Sequence, residues 1–316
     1  MKVALAVGGG TGPELAEVFE RTLSALGGAE LLRSTRLYAT YSTAELARED
    51  AEHYERFLLE ARAQGCAAVF RTAFNAQSLY LVRERLTAVK VEALGDLLLV
   101  RDQAQGFYAG DNDAGSAESI LRTCRFSKAV TWKILDFAVA EAQRLWGGMD
   151  RIMMVYKFHL LDTRFARWVK EYPRPIELVQ PDTMNRALLR GAVRGRTLVV
   201  GSNEWLDVMH ADLLARRGLV QDERFSVNHY LHERLTGLVE YQTVHGSADD
   251  LAGKGVVNPL ATMRAAAAIL GGEASSRLEA GIASAKAAGL LTPDLGGGAR
   301  TAEVERAVLD SCCAKP

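Results

Sequence analysis

Short apolar, β-branched runs alternate along the chain with longer segments in which apolar residues recur every three or four positions. That alternation builds a parallel sheet covered by helices, so the fold class is α/β. Lys2 to Val7 is a predicted first strand, and the turn Gly8 to Pro13 leads to a helix opened by Pro13, with Leu15, Val18, Phe19 and Leu23 along one face. Ser42 and Glu45 have capping-box spacing, which predicts a charged helix to Gln64 that stops at Gly65, where a buried strand, Cys66 to Phe70, begins. The middle third predicts strands over Leu97 to Arg101 and Phe107 to Ala109, then a long helix from Ser127 to Trp146 with Val130, Ile134, Phe137 and Val139 on its apolar side. Two strand–helix units follow: Arg151 to Tyr156 with a helix after it, and Thr197 to Gly201 with a helix from Glu204 to Arg217. Helices over Leu260 to Leu270, Glu273 to Gly289 and Thr301 to Leu309 complete the chain.

The 316 residues suggest two domains at about 150 residues each, and 48% hydrophobic content is enough to bury a sizeable core. Lys and Arg number 38 against 39 Asp and Glu, so the net charge of −1 gives no global field for nucleic acid or anionic lipid. A charged ligand must therefore be held locally. The apolar runs Met1 to Val7 and Leu97 to Val100 fall far short of the roughly 18 residues of a membrane span, and a soluble, cytoplasmic protein is expected. Cys66, Cys124, Cys312 and Cys313 lack the spacing of a zinc or disulfide framework and fit a reducing compartment.

Two segments carry candidate chemistry. Gly8-Gly9-Gly10-Thr11-Gly12-Pro13 is either a tight strand-to-helix turn or a backbone cradle for phosphate; it lacks the Lys-Ser/Thr of a P-loop and the spacing of a Rossmann fingerprint. The segment from Val244 to Pro259 packs glycines, Ser247, His245 and Asn258 into a loop that a ligand can approach closely. Within it, Asp250 is placed to accept both ribose hydroxyls and to repel a 2′-phosphate, which would select NAD over NADP.

This loop, His-Gly-Ser-Ala-x-Asp-x-Ala-Gly-Lys-Gly-x-x-Asn-Pro from His245, resembles the adenosine-binding loop of the isocitrate and 3-isopropylmalate dehydrogenase family, which also includes the D-malate and tartrate dehydrogenases. Gly10-Thr11-Gly12-Pro13-Glu14 resembles that family's first turn, and Pro293-Asp294-Leu295-Gly296-Gly297 followed by Thr301 resembles its C-terminal signature. The resemblance implies two interlocked α/β domains with the substrate in the cleft between them: residues 1–93 plus 237–316 for the dinucleotide, and 94–236 for substrate, metal and dimerisation. It also implies a homodimer that oxidises a malate-type 2-hydroxy acid with NAD and Mg²⁺ or Mn²⁺, usually with loss of the β-carboxylate. The expected partner is then a small carboxylic acid, with no nucleic acid and no membrane.

Carried over residue by residue, the resemblance makes Arg83 and Arg101 substrate ligands, Lys157 the catalytic base, and Asp182 both a catalytic residue and a metal ligand in the neighbouring subunit. Asp207 becomes the main metal ligand, with Asp212 a second, and His245, Gly246, Ser247, Asp250 and Asn258 become cofactor contacts. Several positions depart from the family pattern. The second substrate arginine, ten residues after the first, falls at Ala93, with Arg85 the nearest substitute; the second metal aspartate falls at Ala211, one residue before Asp212. Phe126 stands where the isopropylmalate enzymes carry a proton-donating tyrosine, and Gly9 where an aspartate is usual. These losses leave two alternatives open: a non-catalytic regulatory or binding relative, and a metal-dependent decarboxylase without net oxidation. His229 and His232, without a third ligand nearby, read as an exposed loop or arm.

Overall fold

A computed structural model describes residues 1–41, 43–116, 118–219, 223–244 and 246–313, with backbone alone at 111–116 and 313. Strand β1 (Lys2–Gly8) is buried along nearly its whole length, as a strand covered on both faces must be. Helix α1 (Gly12–Leu26) has Pro13 in its first turn and buries Leu15, Val18, Phe19 and Leu23. After β2 (Glu30–Tyr38) comes α2 (Ala44–Ala63), and then β3 (Ala68–Arg71). Thr43 caps α2, its hydroxyl accepting from the Leu46 amide; this replaces the predicted capping role of Ser42, which lies outside the described residues.

Next come α3 (Ala76–Arg85), β4 (Ala88–Leu94) and β5 (Leu97–Asp102), then a hairpin of β6 (Asp111–Ser116) and β7 (Ser119–Thr123). The predicted strand at Phe107 to Ala109 is instead a single 3₁₀ turn, because Gly106 at φ +94° takes the chain out of the extended region immediately before it. The chain continues through α4 (Lys128–Trp146), β8 (Arg151–Val155), α5 (Asp162–Lys170), β9 (Glu177–Val179), α6 (Pro181–Leu189), β10 (Thr197–Ser202) and α7 (Asn203–Arg216). It ends with β11 (Phe225–Tyr230), β12 (Val239–Thr243), α8 (Leu260–Leu270), α9 (Gly272–Ala287) and α10 (Thr301–Cys313).

The chain divides into two units, Met1–Leu79 with Val220–Val227 and Gly237–Pro316, and Tyr80–Leu219 with Asn228–Thr236. Residues 80–93, expected in the first domain, fall in the second unit because β4 pairs antiparallel with β5. In the first unit β2, β1, β3 and β12 run parallel in that order, and Val3, Leu5 and Phe70 pack against Phe19, Leu23 and Ala266. In the second unit β5, β10, β8 and β9 are parallel, with β4 on the other side of β5.

Alternation along the second unit's strands feeds two cores. Leu98, Val100, Ile152, Met154, Leu198 and Val200 face α4, whose Ile134, Leu135 and Ala138 share their cluster. Leu99, Met153, Val155 and Val199 face the other way, toward Leu206, Met209 and Leu213 of α7. The second of these faces also carries the charged residues that follow.

Candidate active site

In the second unit the charged residues gather at the carboxyl ends of parallel strands, where open α/β sheets bind ligands. Arg101 is the penultimate residue of β5, Lys157 lies two residues past β8, Asp182 opens α6 after β9, and Asp207 is in the first turns of α7 after β10.

Arg101 is 2% exposed, and its guanidinium is held between two carboxylates. One Nη donates to Glu92 Oε1 at 3.0 Å and the other to Asp207 Oδ1, while Nε is buried without an acceptor. Glu92 Oε1 also lies 3.1 Å from His210 Nδ1, and Glu92 Oε2 has no partner. Directly across the β4–β5 ladder from Arg101 stands Lys90, only 8% exposed, whose ammonium donates no hydrogen bond among the described residues. Burial, and then the charge of Arg101, hold the Lys90 ammonium well below the usual lysine range, with Glu92 and Asp207 pulling the other way. Arg83 is also buried, its guanidinium 5.7 Å from the Tyr80 ring centre.

Three buried cations thus stand around two carboxylates, an arrangement that suits an anionic ligand. Sequence reasoning missed Lys90 and Glu92. Counting ten residues from Arg83 reached Ala93, which strand alternation turns to the face opposite Arg101 and exposes, and Arg85 is exposed on α3. A usable signal was present: Lys90 and Glu92 are charged residues at alternate positions of an otherwise apolar strand.

Lys157 Nζ is 3.3 Å from Asp182 Oδ1 and 6.0 Å from the Trp205 ring centre, and Arg186 approaches the other Asp182 oxygen at 3.7 Å. The hydrogen bond from Lys157 keeps the Asp182 carboxyl below the usual carboxylate range. This pair makes no hydrogen bond or ion pair to Arg101 or Asp207. Asp212 does not join Asp207 either. Five residues on along α7, it is turned about 140° around the helix and pairs with Arg216 at 3.3 Å. Among the described residues no three His, Cys, Asp or Glu side chains stand together as a metal site, so Asp182, Asp207 and Asp212 are not gathered within one chain.

Phe126 packs edge-to-face against Tyr156 and Phe165 at 6.2 and 5.9 Å. Tyr156, the nearest phenol, donates to the buried Asp102 Oδ2 at 2.9 Å, so its proton is already engaged. Burial pushes Asp102 up to about 6 and Tyr156 well above the usual phenol range. His229 packs on Phe137 and His232 accepts from the Arg234 amide, so neither is directed at a metal.

In the first unit the turn after β1 meets the loop after β12. Thr11 donates from both its amide and its hydroxyl to Ser247 O, at 3.0 and 2.9 Å. Ser247 Oγ donates to Asp249 Oδ2 at 2.5 Å, and Thr40 Oγ1 to Asp249 Oδ1 at 2.8 Å. Gly10, at φ +59°, is required here, because a Cβ would stand 2.5 Å from Ser247 O and 2.9 Å from Asp249 Oδ1. Asp249 thus brings a carboxylate across the loop to the turn after β1. Asp250 and Gly246 are exposed, and His245 lies outside the described residues. Asn258 is buried, accepting from the Leu260 amide at the start of α8 and donating to Asp294 at 2.8 Å. Thr301 fastens the far side of the loop, its amide donating to Gly255 O and its hydroxyl to Val257 O.

The family model of the isocitrate/isopropylmalate dehydrogenases matches residues 226–308. A 3-isopropylmalate dehydrogenase of Novosphingobium aromaticivorans is 28% identical over 98% of this chain and 99% of its own length. The chain is thus similar along its whole length to a 3-isopropylmalate dehydrogenase, and over its C-terminal part to the isocitrate/isopropylmalate dehydrogenase family. Over 22% of its length it is also 44% identical to a probable tartrate dehydrogenase/decarboxylase of Agrobacterium vitis, covering 21% of that protein. The fold is that of an isocitrate dehydrogenase from Methylococcus capsulatus, with a TM-score of 0.73 at 21% identity and 99% of each chain covered. A β-decarboxylating dehydrogenase from Thermococcus kodakarensis gives 0.66 at 23% identity, covering 98% of this chain and 96% of its own. No helix among the described residues is long and apolar enough to cross a membrane.

Proposed function

We propose that the protein is an NAD-dependent, divalent-metal-dependent dehydrogenase of a malate-type 2-hydroxy dicarboxylic acid. The observation that carries this reading is the buried cation group of Arg83, Lys90 and Arg101 at the carboxyl end of β5, with Arg101 Nε lacking an acceptor and Lys90 making no hydrogen bond among the described residues.

The donor chemistry fits a hard cation. Asp207 and Asp182 offer carboxylate oxygens on side chains 54% and 62% exposed, suited to Mg²⁺ or Mn²⁺, with Asp182 reaching the metal of a second subunit. The loop around Asp250 fits a ribose: Gly246, Gly253 and Gly255 face open space, and the Asp250 carboxylate is exposed. When bound, NAD supplies the hydride acceptor, and the metal ion polarises the oxygen of the carbonyl formed at C2.

The remaining roles fall to the chain's own residues. Arg83 and Arg101 hold substrate carboxylates, and Lys157 Nζ takes the proton of the substrate hydroxyl. Where the β-carboxylate is lost, Phe126 has no proton to give and Tyr156 is tied to Asp102, so water protonates the enolate. A homodimer is supported by exposed Ile120 and Leu121 on β7 and exposed Val208 on α7, apolar surface that a second copy would cover. Free Cys66, Cys124 and Cys312 support a cytoplasmic location.

The test is calorimetric titration with NAD⁺ and with NADP⁺ in Mn²⁺, followed by a screen of substituted malates for reduction of NAD⁺. Binding of NAD⁺ alone with turnover of a substituted malate supports the reading. Binding of neither nucleotide by a folded dimer would favour a regulatory relative, to which the loss of the aspartate at Ala211 already points. Product formed without added NAD⁺ would favour the decarboxylase.

A further inference from the structure

We propose that Lys90 is the third cation of the substrate clamp, its ammonium holding the dicarboxylate's second carboxylate where an arginine at position 93 was expected. This rests on reading this group of side chains as a 2-hydroxy dicarboxylate site.

A lysine buried to this degree is costly unless an anion meets it, and the described residues supply none within hydrogen-bond reach. Its place in the ladder is fixed: β4 and β5 are in antiparallel register with Lys90 opposite Arg101, so both side chains rise from the same face at cross-strand distance. Arg101 Nε, also without an acceptor, lies on that same wall. The Lys90 ammonium and the Arg101 guanidinium on adjacent strands, with Arg83 as a third buried basic side chain, make a receptor for carboxylate oxygens.

Charge decides the class of ligand. Arg101 and Lys90 face each other across the ladder with Arg83 nearby, a grouping of basic side chains that suits an anionic ligand. Lysine also alters the selection. Its ammonium is a compact point donor without the planar fork of arginine, so it grips one oxygen rather than fixing the plane of the carboxylate. The substrate's second carboxylate is thereby freed to adopt an orientation that a guanidinium would forbid, which suits a substituent other than isopropyl.

Lys90→Met, Lys90→Arg and Arg85→Met separate this role from a structural one. The measurements are calorimetric titration with D-malate, succinate and oxalate in Mn²⁺, NAD⁺ titration, and thermal unfolding without ligand. Lys90→Met is expected to bind D-malate about 100-fold more weakly, as loss of a hydrogen bond to a charged group implies, with NAD⁺ affinity intact and free-protein stability equal or raised. Lys90→Arg should stay within about tenfold of wild type, and Arg85→Met should not differ from it. Unchanged D-malate binding by Lys90→Met would overturn the proposal. So would a Lys90→Met protein that loses binding only together with stability. Wild-type binding of D-malate without NAD-linked turnover would leave the clamp standing and remove the dehydrogenase reading. Failure to bind all three dicarboxylates would remove the clamp, while the NAD⁺ titration judges the cofactor separately.

Discussion

Lys157 Nζ and Asp182 Oδ1 meet at 3.3 Å within one chain, the lysine from the end of β8 and the aspartate from the start of α6. The pair keeps the lysine's reach directed by a carboxylate while both side chains stay solvent-accessible. Lys157→Met is expected to lower kcat by at least about a thousandfold, within the range for loss of a positioned proton acceptor, with NAD⁺ affinity unchanged. Steady-state kinetics beside NAD⁺ calorimetry checks this, and a Lys157→Met enzyme that turns over normally removes the residue from the chemistry.

Glu92 supports Arg101 from one step deeper in β4. Its Oε1 takes a hydrogen bond from Arg101 Nη2 at 3.0 Å and lies beside His210 Nδ1, all three groups being buried. Glu92→Gln leaves a buried guanidinium with one charged partner instead of two, and should cost about 3 kcal/mol in urea unfolding. The substrate KM should rise with it, about tenfold, as the guanidinium loses its fixed orientation. A variant as stable as wild type with an unchanged KM would show that Asp207 alone positions Arg101.

Much of this was legible in the sequence. The apolar runs at Lys2 to Val7, Arg151 to Tyr156 and Thr197 to Gly201 are buried parallel strands, because residues covered on both faces leave little choice of composition. Strand β2 escaped notice because it alternates Leu31, Arg33, Thr35 and Leu37 with half-exposed neighbours and has no continuous apolar run. Residue identity pointed to Arg101, Lys157 and Asp207, which the structure places on β5, just past β8 and in the first turns of α7. Lys90 and Glu92 were invisible because cross-strand register, not spacing along the chain, brings them to Arg101, and Asp249 because its partners Thr40 and Ser247 lie 209 and two residues away. Asp212 shows the converse: its type was right, but helical phase sends it to Arg216.

The two adjacent aspartates of the first unit's loop should separate cleanly. Asp249 is committed to Thr40 and Ser247, and these bonds hold it below the usual carboxylate range, whereas Asp250 is exposed with no hydrogen bond among the described residues. Asp250→Ala is expected to weaken NAD⁺ binding roughly tenfold through lost ribose contacts, without changing thermal stability. It should also narrow the preference against NADP⁺. Asp249→Ala should instead loosen the loop, seen as faster amide exchange at Thr11, whose partner Ser247 O it helps to fix. Equal nucleotide affinities in wild type and Asp250→Ala would contradict this division of labour.

Asp102 makes stability depend on pH in an unusual direction. Its oxygens accept from the amides of Ala104 and Gln105, from Gln105 Nε2, and from Tyr156 Oη, yet full burial raises its pKa from 3.8 to about 6. Between those values the folded protein keeps a proton that the unfolded chain has released. Folding is therefore favoured most below the unfolded value, and this contribution is lost as pH rises through about 6. The shift corresponds to about 3 kcal/mol. Glu141 and Glu279, held low by Arg144 and Arg264, act in the opposite sense, so wild type alone does not isolate the effect. Asp102→Asn does. It lacks the titration and is less stable throughout, since one amide oxygen cannot satisfy four donors. Urea unfolding of both proteins from about pH 4 to pH 7 should show the stability gap between them shrinking as pH rises; a gap that stays constant or widens would mean that Asp102 is ionised in the folded protein across the whole range.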